Sequence, residues 1–187
     1  MGIFKINDQI IVPAAYPFGY ANGKRPGWKR AKSTIFDFLD HWGGSYMNIR
    51  AIDFFLKGVL ITHVSNFTAY ATSTINGWLP ANAFNTNLSK TGEYANSWLS
   101  NYIGTNQRLI IVHNELTDYD SIAIHNGHHY GGHTYTGAKN FKAYLSTDAI
   151  TSVVCGSAIS NSAMLFDGQL RQHVASDVAD PQFLELI

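Results

Sequence analysis

The chain has 187 residues, of which 45% are hydrophobic and 14% charged, and its formal net charge is zero. This composition fits one packed domain and argues against disorder, and the neutral charge gives no reason to expect a nucleic-acid partner. Cys155 is the only cysteine, so an internal disulfide is excluded. Because Cys155 lies in an apolar run, we expect an inert thiol.

The first 45 residues differ from the rest in charge and turn content. Residues 1–32 hold six Lys or Arg against Asp8 alone, and residues 11–28 are rich in Pro and Gly. We predict an N-terminal arm over 1–45, with one short helix over 31–42 that Ser33 caps. The basic stretch 23–32 is either a solvated loop or a docking segment for an acidic partner.

From residue 46 onward the hydrophobic pattern has mostly a period of two, which is typical of β-strands. In 47–55 this alternation predicts one face with Met47, Ile49, Ala51, Asp53 and Phe55. Strands are expected at 47–55, 58–64, 66–74, 107–114, 120–126, 140–147, 150–159, 163–168 and 182–187. Since turn-rich pieces separate them, we predict an all-β fold, an antiparallel β-sandwich of jelly-roll type over 46–187.

The stretch HNGHHYGGHTYTG (125–137) carries four histidines and four glycines. Imidazoles at these spacings suit a transition metal, but the glycines oppose a helix, and no Cys, Asp or Glu lies within 121–140. A ligand-binding loop is therefore favoured, and the metal alternative stays open. The chain has no nucleophile elbow, HExxH motif or phosphate-binding loop, so we expect no enzymatic activity.

Short pieces from residue 48 onward follow the order of motifs found in one family of β-sandwiches. They are NIRAIDFF (48–55), FTAYATSTINGWLPANAFNTN (67–87), YANSWLS (94–100), QRLIIVHNEL (107–116), YDSIAIHN (119–126), GAKNFKAYLSTD (137–148) and PQFLELI (181–187). Together they resemble the discoidin-like domain, also called the coagulation-factor C-type or galactose-binding-like domain. The resemblance covers residues 48–187.

The resemblance implies that ligands bind to loops at one end of the sandwich, here 75–79, 100–106 and 127–135. Aromatic rings in these loops can stack on sugar rings, and amide and imidazole groups can hydrogen-bond sugar hydroxyls. The candidate ligand-binding residues are Asn76, Trp78, Asn101, Tyr102, Asn126, His128, His129, Tyr130, His133 and Tyr135. The alternative is that these loops are ordinary polar connections. If the histidines line the site, affinity should change between about pH 5 and 7.5.

Some members of this family hold a structural calcium ion, and the resemblance implies oxygen ligands from Asn85, Thr86, Asn87 and Glu185. Calcium accepts amide, hydroxyl and carboxylate oxygens. Asn85 stands where the family usually has Asp, and the missing carboxylate should weaken such a site. No cofactor is certain from the sequence, and a structural calcium ion is the candidate that the resemblance implies.

The expected function is a non-enzymatic carbohydrate-binding or adhesion module. By analogy, we expect a phage tail-fibre or virion component that contacts host cell-surface glycans. The alternative is a structural virion subunit, a decoration protein or a fibre or baseplate connector, that assembles through the N-terminal arm. Expected partners are a cell-surface glycan and other virion proteins or further copies of the chain as a homo-oligomer. Because no signal peptide or run of 18 apolar residues is present, we expect assembly in the host cytoplasm and no membrane insertion.

Overall fold

Antiparallel β-sheets form nearly all the regular structure of the described residues. The computed structural model describes residues 4–6, 9–11, 29–61, 66–86, 88, 90–91, 96–101, 105–174 and 181–187, the first two ranges as backbone only. Strands β1 (Phe4–Ile6) and β2 (Gln9–Ile11) pair with each other in a separate two-stranded sheet. The rest of the expected arm up to residue 28 lies outside the described residues.

The first large sheet has five strands in the order β11-β10-β3-β8-β6. Their bounds are β3 Lys29–Phe38, β6 Phe67–Ala71, β8 Gln107–Tyr119, β10 Asn140–Ser146 and β11 Ser162–Gln169. All neighbouring pairs are antiparallel. β3 is the central strand.

The second large sheet has the order β12-β9-β4-β5, and β7 also pairs with β4. The bounds are β4 Asn48–Leu56, β5 Val59–Leu60, β7 Trp98–Leu99, β9 Ser121–Asn126 and β12 Pro181–Phe183. Within the described residues, two short 3-10 helices, Pro80–Phe84 and Thr134–Thr136, lie in connections between strands.

An aromatic core packs the two large sheets together. Phe36 of β3 and Phe54 of β4 meet edge to face with ring centroids 6.5 Å apart. Phe84 of the first 3-10 helix lies 6.3 Å from Phe36 and 6.5 Å from Phe54. Edge and tilted contacts suit the quadrupoles of these rings. The two layers confirm the predicted all-β sandwich.

The helix expected over 31–42 is wrong, because most of that segment is strand β3. Phe36 and Phe38 face the core between the sheets, whereas Ile35 packs on the other side with Ile110 and Ile150. A strand buried on both faces loses the alternation that marks a strand. The sandwich therefore begins at Lys29 and not at residue 46. The segment that precedes the sandwich ends at residue 28, whereas the predicted arm extended to residue 45.

A β-bulge in β4 reverses the predicted faces of that strand. The register shifts between Ile49 and Ala51. Met47 and Ile49 point into the core before the bulge, and Ile52 and Phe54 do so after it. Asp53 consequently lies on the outer face of the second sheet. One extra residue is enough to exchange the two faces.

The strand expected at 150–159 is also wrong. Residues 147–161, here named the strap, form an irregular segment against the outer face of the first sheet. Ser33 anchors one end, since its hydroxyl donates to the Asp148 carbonyl and accepts from the Ile150 N–H. Burial and the nearby Asp37 carboxylate raise the pKa of Cys155, in the strap, to about 11. The thiol therefore stays protonated at neutral pH, in agreement with the expected inert character.

Candidate functional site

One end of the sandwich gathers the loops that the sequence singled out. β3 ends there at Phe38, which pairs with Gln107 at the start of β8 and Phe141 near the start of β10. β4 begins there, with Ile49 paired to Asn126 at the end of β9. The connections 39–47, 72–79, 127–139 and the described parts of 100–106 leave from this end, here named the loop end.

The glycine loop, residues 127–137, is built from two hydrogen-bonded turns. His129 and Gly132 exchange two backbone hydrogen bonds of 2.8 Å. Tyr130 and Gly131 between them have φ angles of 48° and 73°, as a tight type I′ hairpin turn requires. The second 3-10 helix follows, with the Thr136 hydroxyl donating to the His133 carbonyl. The loop thus has a defined shape.

Four rings of this loop form the aromatic patch, which consists of His129, Tyr130, His133 and Tyr135. His129 lies 4.9 Å from Tyr130 and 5.8 Å from His133, measured between ring centroids. His133 meets Tyr135 edge to face at 5.4 Å, and its Nδ1 is hydrogen-bonded to the Tyr135 hydroxyl. Tyr130 is 59% exposed and Tyr135 is 43% exposed. The patch therefore offers two tyrosine rings to solvent.

Trp42 and Lys139 lie next to the glycine loop, and sequence reasoning missed both. Residues 41–44 run antiparallel to 135–138, with Trp42 N–H donating to the Gly137 carbonyl and Gly44 N–H to that of Tyr135. The Lys139 ammonium lies 5.1 Å from the centroid of the Trp42 ring, a cation–π contact. The sequence signal that could have revealed Trp42 is the Gly43–Gly44 pair directly after it. Two consecutive glycines indicate a turn at this point and oppose the helix expected over 31–42.

Two predicted ligand contacts are instead buried supports of the glycine loop. Asn126 is 1% exposed, and its Nδ2 donates to the carbonyls of Ala138 and Arg171. His128 is fully buried, and its Nδ1 accepts a hydrogen bond from Gly131 N–H. Both side chains face inward and hold the loop in shape, and contact of Asn126 and His128 with a ligand stays a prediction.

Asn76, Trp78 and Asn101, three further predicted ligand residues, lie at the loop end but outside the aromatic patch. Asn76 and Asn101 are exposed, and Trp78 is half-buried. The Trp78 carbonyl accepts a hydrogen bond from Leu99 N–H, which fixes this loop to β7. Tyr102 lies outside the described residues.

The expected calcium ligands fall on two separate segments. Asn85 ends the first 3-10 helix, and the adjacent Thr86 has a buried hydroxyl that finds no hydrogen-bond partner among the described residues. Glu185 is exposed, beyond β12, where the neighbouring Leu184 N–H bonds to the Ile122 carbonyl. Asn87 lies outside the described residues. Calcium binding stays a prediction. In the described part of the chain, no three His, Cys, Asp or Glu side chains come together as potential metal ligands.

A buried charged group lies on the outer face of the second sheet. Asp53 Oδ2 is 2.8 Å from His125 Nε2 and 2.5 Å from Lys90 Nζ. Burial alone would raise the pKa of Asp53, but the hydrogen bonds from His125 and Lys90, with their charges, hold it below the ordinary value. The side chains of Asp53 and His125 are only 4% and 7% exposed, and the ion pair of Asp53 with Lys90 ties the Lys90 segment to the sheet.

This pair predicts a loss of stability in acid. Because the Asp53 pKa is lower in the folded protein, its contribution is complete above the ordinary value of 3.8 and is lost as pH falls through the folded value. We expect urea unfolding to show a steeper fall in stability below about pH 4 in wild type than in Asp53→Asn. The same pH dependence in both proteins would contradict the assignment.

The fold places the chain in the class of all-β sandwich proteins, with an exposed aromatic patch on a loop at one end. No family model, curated protein or solved structure matches the chain. Membership of the discoidin-like family therefore stays an expectation. None of the helices in the described residues has the length and apolar character needed to cross a membrane.

Proposed function

We propose that this protein is a non-enzymatic carbohydrate-binding or adhesion module that holds sugar rings on the aromatic patch. The observation that carries the proposal is the pair of exposed tyrosines, Tyr130 and Tyr135, joined through His129 and His133. Large exposed aromatic side chains that cluster on one loop are typical of binding surfaces.

The chemistry of the patch suits a sugar. A pyranose ring has an apolar C–H face, which packs on an aromatic ring, and hydroxyls, which pair with imidazole nitrogens and tyrosine hydroxyls. The hydrogen-bonded turn at His129–Gly132 fixes the rings before a ligand arrives. A preformed surface loses little entropy on binding, which favours affinity.

The biological setting that we propose is a phage tail fibre or other virion component that contacts host surface glycans. Its support is the sequence resemblance and the placement of the patch at one end of a sandwich. A loop at the end of a rigid scaffold is well placed to meet a large surface.

A glycan array tests the proposed function. We expect the full chain to bind a subset of glycans, and Tyr130→Ala and Tyr135→Ala each to weaken that binding about tenfold, or about 1.4 kcal/mol. Both side chains are exposed, so thermal stability should change little.

Leu116→Ala is the matched control, because Leu116 is 49% exposed on β8 far from the loop end. It should leave glycan binding unchanged. Equal losses in all three variants would show that binding does not use the patch, and an array without any bound glycan would refute the proposed function.

A further inference from the structure

We infer that the sugar held on the aromatic patch is acidic, with carboxylate or sulfate groups, and that Lys139 determines this specificity. The inference rests on the proposed function and names the class of its ligand. It starts from the charges that the described residues place next to the patch.

The part of the chain that carries the aromatic patch and Lys139 has no carboxylate side chain. The segment 121–147, which includes the whole glycine loop and Lys139, contains no Asp or Glu. Arg171, on the segment next to the loop, is exposed, and its carbonyl accepts from Asn126 Nδ2. The adjacent Gln172 donates to the Thr134 hydroxyl in the loop. The backbone of Arg171 and the side chain of Gln172 therefore lie against the loop, and Lys139 carries a positive charge two residues beyond its end.

The acidic residue nearest in the chain to Trp42 is Asp40, and its carboxylate is already engaged. Its Oδ1 accepts from Asn140 N–H at 2.7 Å, and its Oδ2 accepts from Asn140 Nδ2 at 2.9 Å. Lys139 meets Asp40 only through the backbone, where its N–H donates to the Asp40 carbonyl. Within the described residues, Lys139 forms no ion pair with a carboxylate.

The Lys139 ammonium lies close to the segment that carries the aromatic patch. Its ammonium lies over Trp42, and the strand-like pairing of 41–44 with 135–138 places Trp42 beside the segment that carries Tyr135. An ammonium next to a stacking surface is able to pair with an acidic substituent of a stacked sugar. An anionic group on the ligand thereby supplies the counter-charge that the described residues do not give Lys139.

Two matched pairs of polysaccharides test the inference on the full chain. Polygalacturonate is compared with its methyl ester, and dextran sulfate with dextran, by biolayer interferometry at about 0.15 M salt, where long-range attraction is screened. We expect the charged member of at least one pair to bind about tenfold more tightly than its neutral partner. Which pair shows the difference distinguishes a carboxylate from a sulfate ligand.

Three substitutions test whether Lys139 causes the preference for the charged polysaccharide. Lys139→Gln should remove the preference for the charged member, whereas Lys139→Arg, which keeps the charge and can stack on Trp42, should retain it. Lys57→Gln, in the exposed turn after β4 at the opposite end, removes the same charge and should change nothing.

The outcomes separate the two proposals. Equal binding of charged and neutral members, or equal losses in Lys139→Gln and Lys57→Gln, would overturn the acidic specificity. Glycan binding that depends on Tyr130 would then still stand. Absence of binding to these polymers and to every glycan of the array would overturn both.

Discussion

Replacing Arg108 by alanine is expected to lower the free energy of unfolding by about 3–5 kcal/mol. Arg108 of β8 and Asp37 of β3 form a two-pronged ion pair, with N–O distances of 2.6 and 2.8 Å. Their side chains are 0% and 3% exposed. Without Arg108, the Asp37 carboxylate would stay buried with the Gly156 N–H and the Cys155 thiol beside it but no positive charge to pair with, and such an uncompensated charge is costly.

The same pair fixes the strap to the first sheet. The Arg108 guanidinium donates to the Ser152 carbonyl and to both the hydroxyl and the carbonyl of Ser157. Arg108→Ala should therefore also speed proteolytic cleavage within the strap, because local opening there becomes less costly.

Arg30→Ala is the control for this experiment, because it removes the same side chain from an exposed ion pair. Arg30 and Asp118 are 65% and 28% exposed, so their pair should contribute at most about 1 kcal/mol. Urea unfolding of both variants measures the difference. Equal losses of stability would show that the buried pair is not the anchor that its geometry indicates.

Much of the sandwich was predictable from the residues, and the errors have identifiable causes. β4, β9 and β10 alternate or run apolar over their observed lengths, and their predicted positions in the chain are confirmed, although the bulge in β4 exchanges its predicted faces. β3 was mistaken for a helix because the strap covers its outer face, so apolar residues occupy both faces. The strap, which is distant in the sequence, buries that face. The local hydrophobic periodicity of β3 therefore gives no sign that the face is buried.

The candidate site was predictable in position but not in detail. Composition and the order of motifs placed binding residues in the glycine loop, and His129, Tyr130, His133 and Tyr135 do lie together there. Composition did not distinguish inward from outward side chains. The inward position of His128 depends on contacts with Lys90 and His173, which are far away in the sequence.

The shape of the glycine loop depends on Gly127, so Gly127→Ala is expected to lower the free energy of unfolding by about 3 kcal/mol. A Cβ at Gly127 would lie 2.4 Å from the Asn48 carbonyl oxygen and 2.5 Å from its Oδ1. Asn48 cannot move away easily, because it is buried and its Nδ2 donates to the Ser97 hydroxyl and the Trp98 carbonyl.

Gly132→Ala makes the same chemical change within the same loop, where a Cβ would approach only the His129 carbonyl oxygen at 3.4 Å. We expect this control to be within about 0.5 kcal/mol of wild type, by chemical denaturation. If the loop is rigid because β4 and β9 hold its base, Gly127→Ala should also weaken glycan binding at temperatures where the variant is still folded. A Gly127→Ala protein with normal stability and binding would mean that Asn48 does not fix the base of the loop, and the preformed shape of the aromatic patch would need another cause.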